Sequence, residues 1–472
     1  MTRKLTLSGE LNSPLSTLHS QLRIALCIIA LLAASSFATQ ARIESMGKRP
    51  AFFLDDITMF TNPANATFYS SALMGELGFY SQNSLGTSDI GNLGTNVKDP
   101  FSPWFGALFR YGLHDEGLRD PQITIGGFFG YDHWEFTRFV PREVIVGGET
   151  YRIPNSVTNF DGFLAGTMLD GSAVGTHIYV AVQDGKQDVN AAGTTEGELT
   201  KNAHVSILAM DYGANFLVTN TSSVELSFGI ARIQYGPSRK GFLDPGLFSF
   251  YSNGRLFLET ELLNGQYIVG YKIADMKVPS WEEMTYNLNT GVNVMIPRGL
   301  FWLGIDAVRI KETVGSWEKR EDRDENDRVV NSWRIYREPG SREVITEDRS
   351  DAIGGIISFG IERNVFRDWI IIRTGGQKSL FYKKCVKNSA PDVKSAICPA
   401  PLGRIGGGNY WETNPGGDGS LGDHLGLGLG FNMDNKLKID VTIAEDAFFR
   451  NPFTPNGSIG RFISRVSALY RF

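Results

Sequence analysis

Residues 460–472 read GRFISRVSALYRF, and their side chains alternate in character up to the end of the sequence. One face of an extended strand would carry apolar and aromatic side chains, namely Phe462, Val466, Ala468, Tyr470 and Phe472. The other face would carry mainly polar ones, namely Arg461, Arg465, Ser467 and Arg471. If the apolar face meets lipid, the strand must belong to a closed barrel, because an open sheet edge would leave backbone N–H and C=O groups unpaired in hydrocarbon.

The aromatic end of this strand has a further implication. A last strand that ends in Phe, with apolar or aromatic residues at alternate positions before it, resembles the C-terminal recognition strand of bacterial outer-membrane β-barrels. The matching positions here are Phe462, Val466, Tyr470 and Phe472. The resemblance implies that the barrel-assembly machinery recognises this strand. It also implies that the folded barrel contacts outer-membrane lipid and lipopolysaccharide. The alternative is a half-buried terminal strand of a soluble β-sandwich.

Residues 1–41 have the organisation of a secretory signal peptide. Arg3, Lys4 and Arg23 precede an apolar run over 24–34, and small residues follow this run. Because the run is too short to span a bilayer comfortably, we expect cleavage after Ala38 or after Ala41, with an uncleaved anchor as the alternative. Removing residues 1–41 leaves a net charge of −7. Such a chain is exported to the cell outer membrane and is no nucleic-acid binder.

Alternating runs recur along the rest of the chain and predict β-strands. In 425–431, LGLGLGF, large apolar residues are separated only by glycine, and a period of two excludes a helix. Sixteen such runs lie at about 71–81, 101–111, 121–132, 160–170, 175–184, 202–217, 221–235, 254–264, 266–277, 284–297, 300–313, 351–364, 368–383, 423–433, 435–446 and 460–472. The sequence therefore predicts one all-β domain over 71–472, a closed antiparallel transmembrane β-barrel of sixteen strands.

The connections between these runs support the barrel. Long gaps, including 133–159, 185–201, 314–350 and 384–422, alternate with short ones of a few residues. Transmembrane barrels have long outer loops and tight periplasmic turns, whereas a β-sandwich has no reason to sort its loops by parity. Fourteen strands remain the alternative, if a hairpin such as 160–184 or 254–277 belongs to a loop.

The lumen of a sixteen-stranded barrel is too wide to be filled by its own side chains. The candidate occupant is the segment 42–70, which precedes the first strand. Its stretch 55–64, DDITMFTNPA, ends in an Asn-Pro-Ala motif. Read by itself, Asn-Pro indicates only a turn before the first strand, because Asn caps locally and Pro fixes φ.

This segment resembles the N-terminal region of outer-membrane long-chain fatty-acid transporters (FadL-like) and of their relatives, the type IX secretion shuttle proteins (PorV-like). The resemblance implies a plug or hatch inside the barrel, with Asn62, Pro63 and Ala64 as its motif. It implies that Phe52, Phe53 and Phe60 are the apolar contacts of that plug. We expect residues 42–70 to form it.

The FadL-like resemblance implies a channel for a small hydrophobic or amphipathic solute. The PorV-like one implies instead a secretion scaffold that binds protein cargo at its outer loops. A general diffusion porin is a third possibility, and it would need an inward loop with opposed acidic and basic walls. The loop 314–350 has the charge for this, although its run 318–328, EKREDRDENDR, otherwise predicts a solvated loop.

Few residues suggest other chemistry. Cys385 and Cys398 are the two cysteines beyond the signal peptide, and an exported chain would form a disulfide between them, with free thiols as the alternative. Asp132-His133 and Asp423-His424 could suggest a general base, but sequence neighbours on a strand point to opposite faces. We therefore expect ordinary rim residues, no enzyme, no cofactor and no metal site.

Overall fold

The computed structural model describes residues 40–47, 50–53, 58–78, 103–112, 121–131, 133–140, 143–152, 158–168, 171–183, 201–219, 222–237, 242–243, 246–260, 264–279, 281–315, 317–323, 329–337, 348–365, 369–388, 424–433, 436–443 and 463–472. Sixteen antiparallel strands close into a barrel in chain order. They are β1 (Ala72–Gly78), β2 (Trp104–Gly112), β3 (Gln122–Phe129), β6 (Thr158–Thr167), β7 (Ala173–Gln183), β9 (His204–Leu217), β10 (Ser223–Gly236), β11 (Ser249–Thr260), β12 (Gly265–Val278), β13 (Trp281–Ile296), β14 (Gly299–Val314), β17 (Asp348–Val365), β18 (Ile370–Asn388), β19 (His424–Met433), β20 (Leu437–Ile443) and β21 (Ile463–Arg471).

The predicted fold class is confirmed, and the fourteen-strand alternative is wrong. Both hairpins that might have belonged to loops, 160–184 and 254–277, lie in the barrel wall as β6–β7 and β11–β12. The last strand closes the barrel, because β21 pairs with β1 in a register that sets Tyr470 opposite Leu73. The terminal Phe472 amide also donates to the Ser71 carbonyl, at 3.2 Å.

The outer face of the barrel is apolar. Large hydrophobic side chains that are 39–66% exposed alternate with inward residues on most strands, as with Phe105, Phe109, Ile125, Phe129, Leu164, Val174, Ile178, Leu208, Tyr212, Phe228, Phe250, Val269, Leu288, Ile305 and Ile372. An apolar belt around a closed wall is the surface of a barrel that faces lipid. None of the helices in the described ranges is long and apolar enough to cross a bilayer.

The two ends of the barrel differ. At one end, which we call the short-turn end, tight turns join successive strands, and two of them use non-glycine residues with positive φ, Asn264 at 46° and Arg298 at 60°. At the other, the long-connection end, longer segments leave the wall. An exception is the two-residue link between β12 and β13.

Three long connections contain a second sheet, which corrects the prediction that they are loops. Its strands are β4 (Glu143–Val146), β5 (Glu149–Arg152), β8 (Lys201–Asn202), β15 (Trp317–Arg323) and β16 (Val329–Arg337), arranged in the order β15-β16-β4-β5-β8. The charged run over 318–328 was predicted as a solvated loop, but part of it is β15. Backbone pairing with β16 forms this strand, because ladder hydrogen bonds join main-chain groups and do not depend on side-chain charge.

The N-terminal segment lies against the inner face of the barrel. It consists of the helix α1 (Gln40–Ser45), the single turn α2 (Thr58–Thr61) and two 3₁₀ turns, Pro50–Phe52 and Pro63–Phe68. Helix α1 contacts β18 to β21, Pro50–Phe52 contacts β13 and β14, and Pro63–Phe68 contacts β3, β6, β7 and β9. We call Gln40–Tyr69 the luminal segment.

Candidate functional site

Buried ion pairs hold helix α1 in the lumen. Arg42 Nε lies 2.8 Å from a carboxylate oxygen of Glu362 on β17. The same carboxylate accepts from Arg373 on β18 at 2.5 Å, and Arg373 also contacts Asp440 on β20. Arg373 is fully buried. Removing one partner of the buried Arg373–Asp440 pair would cost about 3–5 kcal/mol. Arg42–Glu362, the pair that reaches the helix, is partly exposed and contributes less.

A second ion cluster holds the same helix from the opposite side. Arg465 on β21 is buried and contacts Glu76 of β1 at 2.5 Å and Glu44 of helix α1 at 3.0 Å. The Thr442 hydroxyl donates to the carbonyl of Ala41 at 2.7 Å. Arg465 was predicted on the polar face of the last strand, and it does point into the barrel.

The Asn-Pro-Ala motif lies flush against the barrel wall. The Asn62 side chain accepts from the Ala64 amide at 3.1 Å, which caps the following 3₁₀ turn, and its Nδ2 donates to the Ala214 carbonyl at 3.2 Å. The wall is built from glycine here, because a Cβ at Gly175 would lie 2.6 Å from the Pro63 carbonyl and one at Gly213 would lie 2.0 Å from Asn62 Oδ1. The motif and these paired glycines therefore form one contact.

Phe52 and Phe53 fill the space beside the wall tryptophan. The Phe52 ring stacks on Trp302 of β14 with centroids 5.2 Å apart and an interplanar angle of 17°. Phe53 packs on the same indole at 5.9 Å, and the Arg42 guanidinium lies 5.2 Å from the Phe53 ring centre. All three aromatic side chains are buried.

Phe60 is the centre of an aromatic cluster in the middle of the lumen. Its ring is parallel to that of Tyr131, with centroids 3.9 Å apart. It packs edge-on against the rings of Trp104, Phe128, Phe163, His133 and His177. All six residues predicted as plug contacts or motif thus lie inside the barrel and touch its inner face or each other.

Beneath Phe60 lies a network of histidines and carboxylates, which we call the His–Asp network. Asp161 Oδ1 on β6 lies 2.6 Å from His133 Nε2 and 2.8 Å from His177 Nε2 on β7. His177 Nδ1 lies 2.7 Å from Asp211 Oδ2 on β9, and His133 Nδ1 lies 3.3 Å from Glu135 Oε1. His133, Asp161 and His177 are at most 1% exposed.

The prediction that His133 is an ordinary rim residue is therefore wrong. The chain turns into the lumen after β3, so His133 meets Asp161 on the inner face of the neighbouring strand β6, while its sequence neighbour Asp132 lies outside the described residues. Burial by itself lowers the pKa of His133, but the Asp161 carboxylate raises it, and the resulting pKa is about 10.

Part of the long connection after β3 folds inward. Phe136, Phe139 and Val144 are buried against inward-facing apolar residues, among them Val205, Ile207, Ile233, Met276 and Trp281. Arg138 on this segment forms a two-pronged ion pair with Glu283 of β13, at 3.1 and 2.5 Å. The connection 314–350, predicted as a possible constriction loop, contributes instead to the second sheet.

Within the described residues, two adjoining cavities lie between the luminal segment and the strands β10 to β14, and the first also borders the inward segment 133–140 and β17. The first has a volume of about 300 Å³ and is lined by Phe60, Glu135, Phe136, Arg138, Tyr251 and Met276, among others. The second has about 210 Å³, with Asn62, Glu225, Arg255, Asn289 and Asp306 in its lining. Thr61, Asn253, Lys272 and Asn287 line both cavities.

The remaining predicted residues are those of the disulfide and of the C-terminal strand. Cys398 and Phe462 lie outside the described residues, so the disulfide stays a prediction. Cys385 falls within β18, opposite Asp351, because that strand extends to Asn388 and is longer than predicted. Of the remaining C-terminal positions, Tyr470 and Phe472 are exposed on the barrel surface and Val466 is half-buried.

No protein-family model matches the chain, and no curated protein matches it. Among solved structures, it is similar to the deltaS2 mutant of the TodX monoaromatic hydrocarbon channel, at 11% identity and a TM-score of 0.33, over 92% of this chain and 98% of that one. The toluene transporter TodX of Pseudomonas putida aligns at 9% identity and a TM-score of 0.32, over 93% and 100%. The siderophore receptor PirA of Acinetobacter baumannii aligns at 8% and 0.25, over 85% and 80%. At this level of similarity, nothing about solute or mechanism transfers to this chain.

Proposed function

We propose that the chain is an outer-membrane β-barrel that passes a small amphipathic solute through a lumen closed by the luminal segment. The position of the two cavities is the observation that supports this most. They lie between that segment and the wall, and Thr61 borders both, so a solute in either one touches the segment directly. A volume near 300 Å³ is at the lower end of the range for small-molecule sites, so the solute is small.

The lining of the cavities suits a solute with one apolar and one charged end. Phe60, Phe136 and Met276 offer an apolar surface in the first cavity. Lys272 borders both cavities and forms no salt bridge within the described part of the chain. The nearby arginines are already engaged, since Arg138 pairs with Glu283 and Arg255 with Glu225. Lys272 is thus the cation available to a solute carboxylate, and we propose a small amphipathic carboxylate.

Uptake into proteoliposomes tests this proposal. The protein is reconstituted, and entry of an aromatic carboxylate such as phenylacetate is compared with entry of its neutral methyl ester. We expect the Lys272→Met variant to lose the preference for the carboxylate. Lys277→Met is the matched control, because Lys277 lies on the same strand but pairs with Asp275 at 3.0 Å and lines neither cavity.

Equal uptake of acid and ester by the unaltered protein would contradict the role of Lys272. Uptake that is absent for both, in a barrel shown to be folded, would contradict the transport proposal itself. That result would favour the second candidate function, a scaffold for protein cargo.

The second candidate is a scaffold that holds protein cargo at the long-connection end. The five-stranded sheet favours it, because its strands belong to the long connections and not to the barrel, and they give those connections a folded structure. Replacing the hairpin 317–337 by a short Gly/Ser linker separates the two functions. A scaffold loses cargo binding in this variant, whereas a solute channel keeps its uptake.

Signal cleavage after Ala38 fits this account better than cleavage after Ala41. The latter would remove Gln40 and Ala41 from helix α1, together with the carbonyl that accepts from Thr442. The intact mass of the mature protein distinguishes the two sites.

A further inference from the structure

We propose that His133, Asp161 and His177 form a binding site for a divalent transition-metal ion of the zinc type. One ring nitrogen of each histidine and one carboxylate oxygen of the aspartate lie within 4.8 Å of one another. The three residues come from the inward-folded segment, β6 and β7, so the fold brings them together from separate parts of the sequence. All three are buried.

The two histidines already converge on one oxygen of Asp161. Both Nε2 atoms approach the same Asp161 oxygen, at 2.6 and 2.8 Å. Zinc–ligand bonds are about 2.0–2.1 Å long, which at a tetrahedral angle separates neighbouring ligand atoms by about 3.3 Å. Admitting the ion therefore widens each nitrogen–oxygen separation by about 0.6 Å, which small rotations of the side chains provide.

The far side of each histidine ring supports the same assignment. His177 Nδ1 lies 2.7 Å from an oxygen of Asp211, and His133 Nδ1 lies 3.3 Å from an oxygen of Glu135. Histidines that bind metals characteristically donate their other ring N–H to a carboxylate, which fixes the tautomer and the ring orientation. With an ion bound, these two carboxylates would hold the ring protons on the Nδ1 atoms, which would leave both Nε2 atoms to bind the ion.

Asp161 also has an oxygen to spare. Its Oδ2 atom is buried and has no hydrogen-bond partner among the described residues. A buried acceptor of this kind is costly unless something satisfies it, and a bound cation would do so as a second ligand oxygen. The combination of imidazole nitrogen and carboxylate oxygen suits zinc, copper, nickel or cobalt and does not suit magnesium or calcium, which prefer oxygen alone.

A bound ion would join two parts of the lumen. His133 belongs to the segment that turns into the barrel after β3, whereas Asp161 and His177 belong to the wall. The ion would tie that segment to β6 and β7, beneath the Phe60 ring that packs on both histidines. This role does not depend on which solute passes, so it goes beyond the proposed transport function.

Metal titration of the full chain, purified without a polyhistidine tag and stripped with a chelator, tests the proposal. Zinc binding is measured by competition with a chromophoric chelator, and the metal retained after desalting is counted. We expect one tightly bound zinc ion per folded chain. Asp211→Asn should weaken binding about 10- to 100-fold, since that is the usual effect of losing the carboxylate behind a metal-binding histidine.

His177→Gln should weaken binding further, because it removes a direct ligand. His204→Gln is the matched control, as His204 lies at the start of β9 and outside the His–Asp network, and it should leave binding unchanged. A cobalt-substituted sample of the unaltered protein gives a second readout that needs no variant. Its visible spectrum should show the intense bands of a low-coordinate, imidazole-ligated ion.

Two results would overturn the proposal. One is the absence of stoichiometric zinc binding by the folded, unaltered chain, together with a cobalt spectrum like that of the hydrated ion. The other is equal affinity in the unaltered protein and His177→Gln. Because neither assay includes a solute, failure here is distinguishable from failure of the transport proposal.

Discussion

A single methyl group added at Gly175 should displace the Asn-Pro-Ala motif from the wall. In Gly175→Ala the new Cβ would lie 2.6 Å from both the carbonyl carbon and the carbonyl oxygen of Pro63, and 2.7 Å from the Ala64 nitrogen. All three are backbone atoms, so no change of rotamer relieves the overlap. Strand β7 is held by pairing with β6 and β9 on either side, and the luminal segment must therefore move.

The size of the effect follows from two contributions. Overpacking a close contact costs about 1–3 kcal/mol. Displacement of the motif also removes the hydrogen bond from Asn62 to the Ala214 carbonyl, worth about 1 kcal/mol. Together they destabilise the docked segment by about 2–4 kcal/mol, which raises the population of its undocked state about 30- to 700-fold.

Hydrogen–deuterium exchange read by mass spectrometry measures this change. Peptides that cover Asn62–Tyr69 should exchange faster by that factor, while peptides from β7 and β9 should not change. Gly166→Ala is the control, since its Cβ would meet only the Gln122 carbonyl, at an ordinary 3.4 Å. Unchanged exchange in Asn62–Tyr69, or an equal increase in the barrel strands, would refute the docking contact.

Three further substitutions test other contacts of the lumen. Phe60→Ala empties the centre of the aromatic cluster at a cost of about 3–5 kcal/mol. It should accelerate hydrogen exchange across Thr58–Tyr69 far more than Phe60→Leu does. Equal acceleration by the two variants would contradict the packing role of the ring. Asp440→Asn leaves the buried Arg373 with a weaker partner and should lower the thermal unfolding temperature markedly, whereas Asp351→Asn, in an exposed pair, should change it little. Arg138→Ala breaks a partly exposed pair worth about 1 kcal/mol, so exchange over 133–140 should rise only a few-fold, and an unchanged rate would count against its anchoring role.

The strands could be predicted because each carries its own signal. Outward apolar residues alternate with inward polar or small ones over ten or more positions, and the lengths of the connections sort by parity. In 425–431 the alternation of large apolar residues with glycine predicts a strand with one apolar face. The structure adds the reason for two of those glycines, since a Cβ at Gly426 would lie 2.2 Å from the Glu44 carbonyl oxygen and one at Gly428 would lie 2.5 Å from Ser45 Cβ. The glycines in the sequence show that the inner face of this strand lacks side chains, but they do not show that helix α1 packs there.

The His–Asp network could not be predicted, because it depends on register and on an inward turn. His177 and Asp211 are directly opposite each other on β7 and β9, which requires the pairing to be known to the residue. A one-residue slip would send every side chain of the strand to the other face. His133 reaches Asp161 only because the chain folds into the lumen after β3, driven by burial of Phe136 and Phe139. The available signal was the set of inward-facing titratable residues on neighbouring strands.

Single-channel conductance in planar bilayers tests most directly whether the luminal segment closes the barrel. The full-length protein is compared with a variant that lacks Gln40–Tyr69 and is shown by circular dichroism to have kept its β-barrel. We predict that the full-length protein is silent or conducts only in brief openings, and that the deletion variant conducts steadily. Steady conductance of equal size in both proteins would contradict closure by this segment and would mean an open aqueous pore.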